Sequence, residues 1–495
     1  MSVASQSTAV RHGGAPRHAL EGALAVLAAG AVMVATAYLA LLALGAGEIA
    51  PVSRLTWAVT SMATGSGVTL RSGSPVKLGE GGGPLGGLTD GLSLEMAGQA
   101  AAIPLGLTLL GAVVLGYGFF RPLRSPSRPA PALLLARVCG ALATAAVLFP
   151  SFALLARGTL RLPKDVATEL GDGSGQRALS RFGDGGMAGG ASALRSVRFE
   201  ADPAMAGLLG VLGVAVLLGL GCVAARRTTL PSPVALSRLR LKWHPVASAL
   251  AGVVTTLCWL PLAVGALAGG AALAGWDRAA KAAGALLLAG PNLSAVALTS
   301  GLGSSWEAGV HRQEGELGGM LGAIGQGGRD GGITDRTTAV ADRSVAGAPL
   351  WLIGLLVLVA ALVLTGYLAT ARTPVRTARE EANAPLSRHL EIALRTGFAV
   401  CAMAMPLALV SRMSFRIDVS VMGRELRGVS GALDGAVGLA GLSGLVLAGL
   451  AAYWGSRLHG TRTARRSPVR PDGPARPVAA HTAGHRPRGD VDAAS

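Results

Sequence analysis

Few residues in this chain have the types and spacing that chemistry requires. Gly290-Pro291-Asn292 interrupts an apolar stretch with one residue that lacks a backbone donor and another that carries an amide. Breaks in membrane helices expose carbonyls and peptide dipoles that hold ions or solutes. Gly290, Pro291, Asn292, Gly301 and Gly303 therefore form the candidate solute or helix-break site. A plug filling the gap between two halves is the competing structural reading. Gly303-Ser304-Ser305 ahead of His311 has the residue types of a serine hydrolase. Such a nucleophile needs a base held within hydrogen-bond reach on rigid elements. Here both fall in a loop, and the 8 histidines all lie in tails, loops or membrane edges. A Walker A lysine, an HExxH pair and a clustered Cys/His set are all missing from the sequence. No catalytic residue, cofactor or metal is expected, and the chain reads as a non-enzyme.

The elements that would position these residues are long apolar stretches. A hydrocarbon core about 30 Å thick needs about 20 apolar helical residues. Candidate spans are 19–44, 102–120, 138–156, 204–225, 247–275, 350–371, 390–411 and 433–454. A further apolar segment covers 282–303. Arginines follow every second span: Arg121 and Arg124, Arg226 and Arg227, Arg372 and Arg376, then Arg457 and Arg462. Basic loops stay cytoplasmic, so the hairpins start and finish inside, with both termini cytoplasmic in a multi-pass plasma-membrane protein. Parity excludes a crossing at 282–303, which would carry Arg372 and Arg376 to the other side. That segment is expected to be re-entrant, broken at Pro291, or else an interfacial stretch across the outer face. Tyr117, Phe119, Phe120, Tyr367, Tyr453 and Trp454 are expected in the inner aromatic belt, and Trp276, Trp306 and Trp351 near the outer one.

Of the 495 residues 51% are hydrophobic and the formal net charge is +17. The mean hydropathy of +0.51 excludes an array of soluble domains. The basic clusters lie in short loops between spans, which argues against nucleic acid and for anionic lipid head groups as partners. Arg121, Arg124, Arg137, Arg226, Arg227, Arg376 and Arg395 are the candidate lipid contacts. Arg137 and Arg395, the deepest charges, are expected to snorkel. The 4 cysteines, Cys139, Cys222, Cys258 and Cys401, sit in apolar stretches and read as small buried hydrophobes.

The chain also repeats short anchors in order. Gly65-Ser66-Gly67 matches Gly301-Leu302-Gly303, Gly116-Tyr117 matches Gly366-Tyr367, and Arg137 matches Arg395. Residues 153–162 match 408–417, and Gly207, Gly210 and Gly213 match Gly438, Gly441 and Gly444. Each half starts inside and crosses four times, so the repeats are expected to be parallel. The glycine-rich spans 204–225 and 433–454 are placed at helix contacts, facing each other across the pseudo-axis. The first-half counterpart of 282–303 is 51–67. Domains are thus a disordered tail 1–16, a first repeat 17–225, a basic linker 226–242, a second repeat 243–458 and a disordered basic tail 459–495. The outer loops 45–100, 157–203, 304–347 and 413–432 contain period-two runs such as 415–421, 160–162, 197–200 and 92–95. These predict short strands in a small β-containing extracytoplasmic cap. The fold class expected is an all-α polytopic membrane protein of about eight transmembrane helices, one or two re-entrant segments and that cap.

Three stretches carry a family resemblance: Arg17-His18-Ala19-Leu20-Glu21-Gly22, the run from Pro291-Asn292-Leu293 through Gly301-Leu302-Gly303-Ser304-Ser305-Trp306-Glu307, and Ser411-Arg412-Met413-Ser414. They resemble the streptophobe family of actinobacterial multi-pass membrane proteins. The resemblance implies an integral membrane location and no established activity. Two functional readings follow: a passive or weakly coupled small-solute permease or channel, or a structural or partner-binding envelope protein that works through its cap. The charge-free span middles argue against proton coupling. The oligomeric state is left open.

Overall fold

The computed structural model describes residues 14–72, 76–77, 93–121, 131–161, 196–224, 238–273, 277–314, 336–339, 344–345, 348–374, 378–421 and 424–466. Among these, eight helices are long and apolar enough to cross a membrane. The chain is an integral membrane protein of multi-pass helical character with a small sheet at one end.

The helices are α1 (Gly14–Ala43), α2 (Val52–Met62), α3 (Leu105–Phe120), α4 (Pro131–Leu155), α5 (Pro203–Ala224), α6 (Arg238–Leu273), α7 (Asp277–Gly301), α8 (Leu350–Arg372), α9 (Ala378–Ala382), α10 (Arg388–Val410) and α11 (Val437–Arg466). The strands are β1 (Val68–Ser72), β2 (Val76–Lys77), β3 (Ser93–Ala102), β4 (Arg157–Arg161), β5 (Ser196–Ala201), β6 (Trp306–Glu314), β7 (Arg336–Ala339), β8 (Ser344–Val345), β9 (Ala348–Pro349), β10 (Met413–Val421) and β11 (Arg424–Gly435).

The main sheet runs β4-β5-β1-β3-β10-β11-β6-β7, with β2 added beside β3. Every pairing is antiparallel, and β3 meets β10 in a ladder from Met413↔Ala102 to Val421↔Leu94. The period-two signal explains the strands. Val197 and Phe199 are buried while Arg198 and Glu200 face out, so one face of β5 covers the helix ends. The strands connect directly into α3, α4, α5, α8, α10 and α11, which defines a sheet end of the bundle. Arg121, Arg372, Arg388 and Arg457 mark the opposite, arginine end.

The eight long helices are not the eight that join these two ends. α3 has only 16 residues but runs from the sheet end to Arg121, packed on α1 through Gly111 against Met33 and Gly118 against Ala25. α7 has 25 residues and stays at the sheet end. Gly284 lies against the Ala40 carbonyl and Leu44, where α1 finishes, and Gly301 lies against Gly354, near the start of α8. Length and hydropathy cannot separate a crossing helix from one packed across helix ends.

Other boundaries shift. The expected break at Gly290-Pro291-Asn292 is replaced by continuous helix through all three residues. The tail expected to be disordered from 459 is helical to Arg466, and 238–242 of the expected linker belongs to α6. Residues 102 and 433–435, expected in spans, lie in β3 and β11, because pairing with Met413 of β10 and with residues 306–308 of β6 carries the ladders up to the helix starts. Of the paired glycines, Gly207 and Gly210 meet Pro150 and Phe149 of α4, and Gly441 and Gly444 meet Met405 and Val400 of α10, in each case within one half, whereas Gly213 and Gly438 have nothing within 4 Å. Cys139 is exposed on α4 rather than buried, on an apolar surface shared with Leu135 and Val147. Trp306 and Phe119 are buried rather than interfacial. Of the expected disordered tail 1–16, residues 14–16 already belong to α1, while 1–13, like 467–495 of the basic tail, lie outside the described residues.

Candidate functional site

Asn292 sits on α7 with only 1% of its surface exposed. Its Oδ1 accepts from the Leu105 backbone N–H at 2.8 Å, and its Nδ2 donates to the Ile103 carbonyl at 2.8 Å. Leu105 opens α3, whose N-cap is Pro104 with no side-chain cap of its own. The first N–H groups of a helix have no intrahelical acceptor, and Asn292 supplies one from a distant helix. The amide expected to face a solute is instead used by the protein itself.

Pro291 explains why the helix survives. It removes the N–H that would have bonded the Leu287 carbonyl, four residues earlier. That carbonyl points at Gly106, where a β-carbon would lie only 1.8 Å from the oxygen. The close backbone approach therefore covers the freed acceptor. Gly284, Leu287 and Asn292 form one face of α7 against α1 and α3, while Ala297 and Gly301 form another against α8. α7 is a wedge between the elements before residue 121 and those after 350. Gly290 and Pro291 lie inside the wedge, Gly301 closes it, and Gly303 makes the turn that follows with φ of +87°.

That turn leads into β6 through a buried network. Trp306 Nε1 donates to Thr299 Oγ1 at 2.9 Å, and Ser304 Oγ donates to the Ala436 carbonyl at 3.2 Å. The serine considered as a nucleophile thus ties β6 to the start of α11.

At the seam between β3 and β10 lies a cavity of about 340 Å³. The Gly65-Ser66 turn, residues 101–103, Leu409, residues 412–414 and Asp434 line it. Arg412 Nε stands 3.6 Å from Asp434 Oδ1, and Arg412 Nη2 donates to the Gly435 carbonyl at 2.9 Å. Nη1 has no protein partner among the described residues. Sequence reasoning passed over this site because its residues are spread over five elements; Arg412 at the end of an apolar span was the one local signal. A second cavity, between α6, α7, α8 and α10, holds about 40 Å³ and is bordered mainly by aliphatic side chains such as Leu250, Leu298 and Leu362.

The basic residues divide. Arg137 is not offered to head groups: its side chain is 1% exposed, with Nη1 3.0 Å from Glu21 Oε2 and Nη2 donating to the Gly118 carbonyl at 3.1 Å. Its guanidinium also stands 5.0 Å from the centre of the Phe119 ring. The reason is the Glu21 carboxylate on α1, which satisfies the charge locally where snorkelling was expected. Arg395 is 20% exposed, pairs with Glu391 of its own helix and donates to the Lys242 carbonyl at 3.0 Å. Arg121 is exposed and lies over the Tyr117 ring. Arg124, Arg226, Arg227 and Arg376 fall outside the described residues. No group of His, Cys, Asp and Glu suited to a metal ion occurs among the described residues. Comparison with protein-family models, with curated proteins and with solved structures returned no match.

Proposed function

We propose that this protein is a static membrane scaffold whose working surface is the sheet, rather than a permease that operates by moving one half against the other. The observation that carries the reading is the β3–β10 ladder of nine registered pairs, which joins strands from before residue 103 to strands from after 412. Rocking-bundle transport requires two halves to separate around a central site. Here such motion would break the ladder, and the Asn292 bonds with it. The two halves are read as head-to-tail copies of one unit, supported by the strand order, in which β4-β5-β1-β3 is followed by β10-β11-β6-β7. Left-handed Gly65 and Gly303 end α2 and α7 in the same way, a register two residues on from the Gly65–Gly301 match expected from the sequence. The sheet end is assigned to the outside and the arginine end to the cytoplasm on the charge rule. The streptophobe resemblance agrees with an envelope role, with anionic lipid at the basic loops.

Reconstitution tests this. Proteoliposomes challenged with glycerol, urea and potassium salts in stopped-flow light scattering are expected to match protein-free vesicles. A saturable flux, abolished when Gln99→Cys and Arg416→Cys are oxidised to a disulfide across the seam, would establish transport by moving halves instead. A photoreactive residue at Thr159, on edge strand β4, is expected to give a discrete protein adduct in intact cells. The same residue at lipid-facing Leu212 is expected to give none. In a background freed of native cysteines, Ser344→Cys is expected to react with an impermeant thiol reagent from outside, and Thr377→Cys to stay protected.

A further inference from the structure

We infer that the seam cavity binds the head group of an aminophospholipid, phosphate on Arg412 and primary ammonium on Asp434. This rests on the membrane reading but not on the absence of transport. The cavity, about 340 Å³, is lined by one cation and one anion, the rest being small, apolar or hydroxyl residues. A ligand that matches it carries both charges close together. Arg412 keeps Nη1 available after bonding the Gly435 carbonyl and facing Asp434, and a guanidinium donates well to phosphate oxygens. Asp434 lies 3.6 Å from Arg412 Nε, beyond hydrogen-bond length, so its carboxylate can accept from an ammonium without breaking a tight pair.

The position of the cavity selects lipid over a free solute. Leu409, in its wall, is 52% exposed. From it an exposed apolar stripe descends α10 through Met405, Phe398 and Leu394, at helical spacing on one face. These residues span about 22 Å at 1.5 Å per residue, long enough to lie alongside an acyl chain. Zwitterionic chemistry of this kind also exists in free amino acids and in free phosphoethanolamine, and the experiment separates them.

The full-length protein, in nanodiscs or mild detergent, would be exchanged with matched-chain phosphatidylethanolamine, phosphatidylcholine and phosphatidylglycerol and read by native mass spectrometry. Retention of phosphatidylethanolamine is expected to exceed that of the other two by about tenfold. Phosphatidylcholine has no N–H to give Asp434, and phosphatidylglycerol has no cation. Asp434→Asn is expected to erase the preference between ethanolamine and choline while phosphate binding persists. Arg412→Gln is expected to lower retention of all three, with Arg412→Lys recovering part of it. Should Arg412→Gln not yield a monodisperse protein, Asp434→Asn decides alone. Equal retention of the three lipids, or a preference unchanged by Asp434→Asn, overturns the proposal. So does calorimetric binding of free phosphoethanolamine or glycine that displaces the lipid, which would reassign the cavity to a soluble zwitterion.

Discussion

α2 with β1 and α7 with β6 are the same device at two lengths. Each is a helix that ends in a left-handed glycine, Gly65 at φ +99° and Gly303 at φ +87°, and turns into a strand of the sheet. Each turn is fastened by buried hydroxyls. Ser61 and Ser66 meet at 2.6 Å in one, and Thr299 receives the Trp306 indole N–H at 2.9 Å in the other. Each strand then buries its first residue, Val68 or Trp306. The difference is reach. α2, with 11 residues, packs on α1, α4 and the neighbouring strands β4 and β5. α7, with 25, extends past its own helices to α1 and α3. Counted back from the turn glycine, Arg54 and Asn292 hold the same position. Arg54 merely approaches the Leu155 carbonyl at 3.5 Å, while Asn292 caps a foreign helix with two bonds of 2.8 Å. Added helix length turns a local turn into a clamp, and one amide in place of a guanidinium makes it specific.

The largest effect should come from the surface the clamp presses on. Gly106→Val places atoms inside the Leu287 carbonyl contact and is expected to cost more than about 3 kcal/mol, seen as loss of monodisperse protein after extraction. Gly116→Ala, with nothing within 4 Å, is the neutral control on the same helix. A comparable contrast between the halves holds at the arginine end. Glu21→Gln strands the buried Arg137 and is expected to cost about 3 kcal/mol in equilibrium unfolding in mixed micelles. Glu391→Gln leaves the partly exposed Arg395 its Lys242 carbonyl and should cost under about 1 kcal/mol. Next comes the clamp residue itself. Asn292→Leu removes two hydrogen bonds and orphans the Leu105 N–H, for about 2 kcal/mol, whereas Arg54→Ala is expected within about 0.5 kcal/mol of wild type. Equal losses at Asn292 and Arg54 would dissolve the distinction between clamp and turn. The smallest effect is at the turn: Trp306→Phe forfeits one bond to Thr299 and should cost about 1 kcal/mol.

Membrane character, the approximate helices and several strands were legible because they depend on local pattern. Twenty apolar residues announce a helix, and alternation at 197–200 and 415–421 announces strands wherever they pair. Glu21 and Arg137 were each visible, but their pairing was not, since it depends on how α1 meets α4 across more than a hundred residues. Parity was the sequence signal that bore on 282–303, and it counts crossings without saying which helices the segment touches.

The sequence alone therefore determined which segments are apolar enough for a bilayer, where the arginines gather and which loops alternate, all of them properties of neighbouring residues. Only the tertiary structure decided that short α3 joins the two ends and longer α7 does not. It also decided that Pro291 sits in unbroken helix because Gly106 covers the carbonyl it frees, and that Arg412 and Asp434 meet at a cavity. Those outcomes depend on contacts between residues far apart in the chain, and hydropathy or spacing along one segment carries no record of what the opposite helix will place against it.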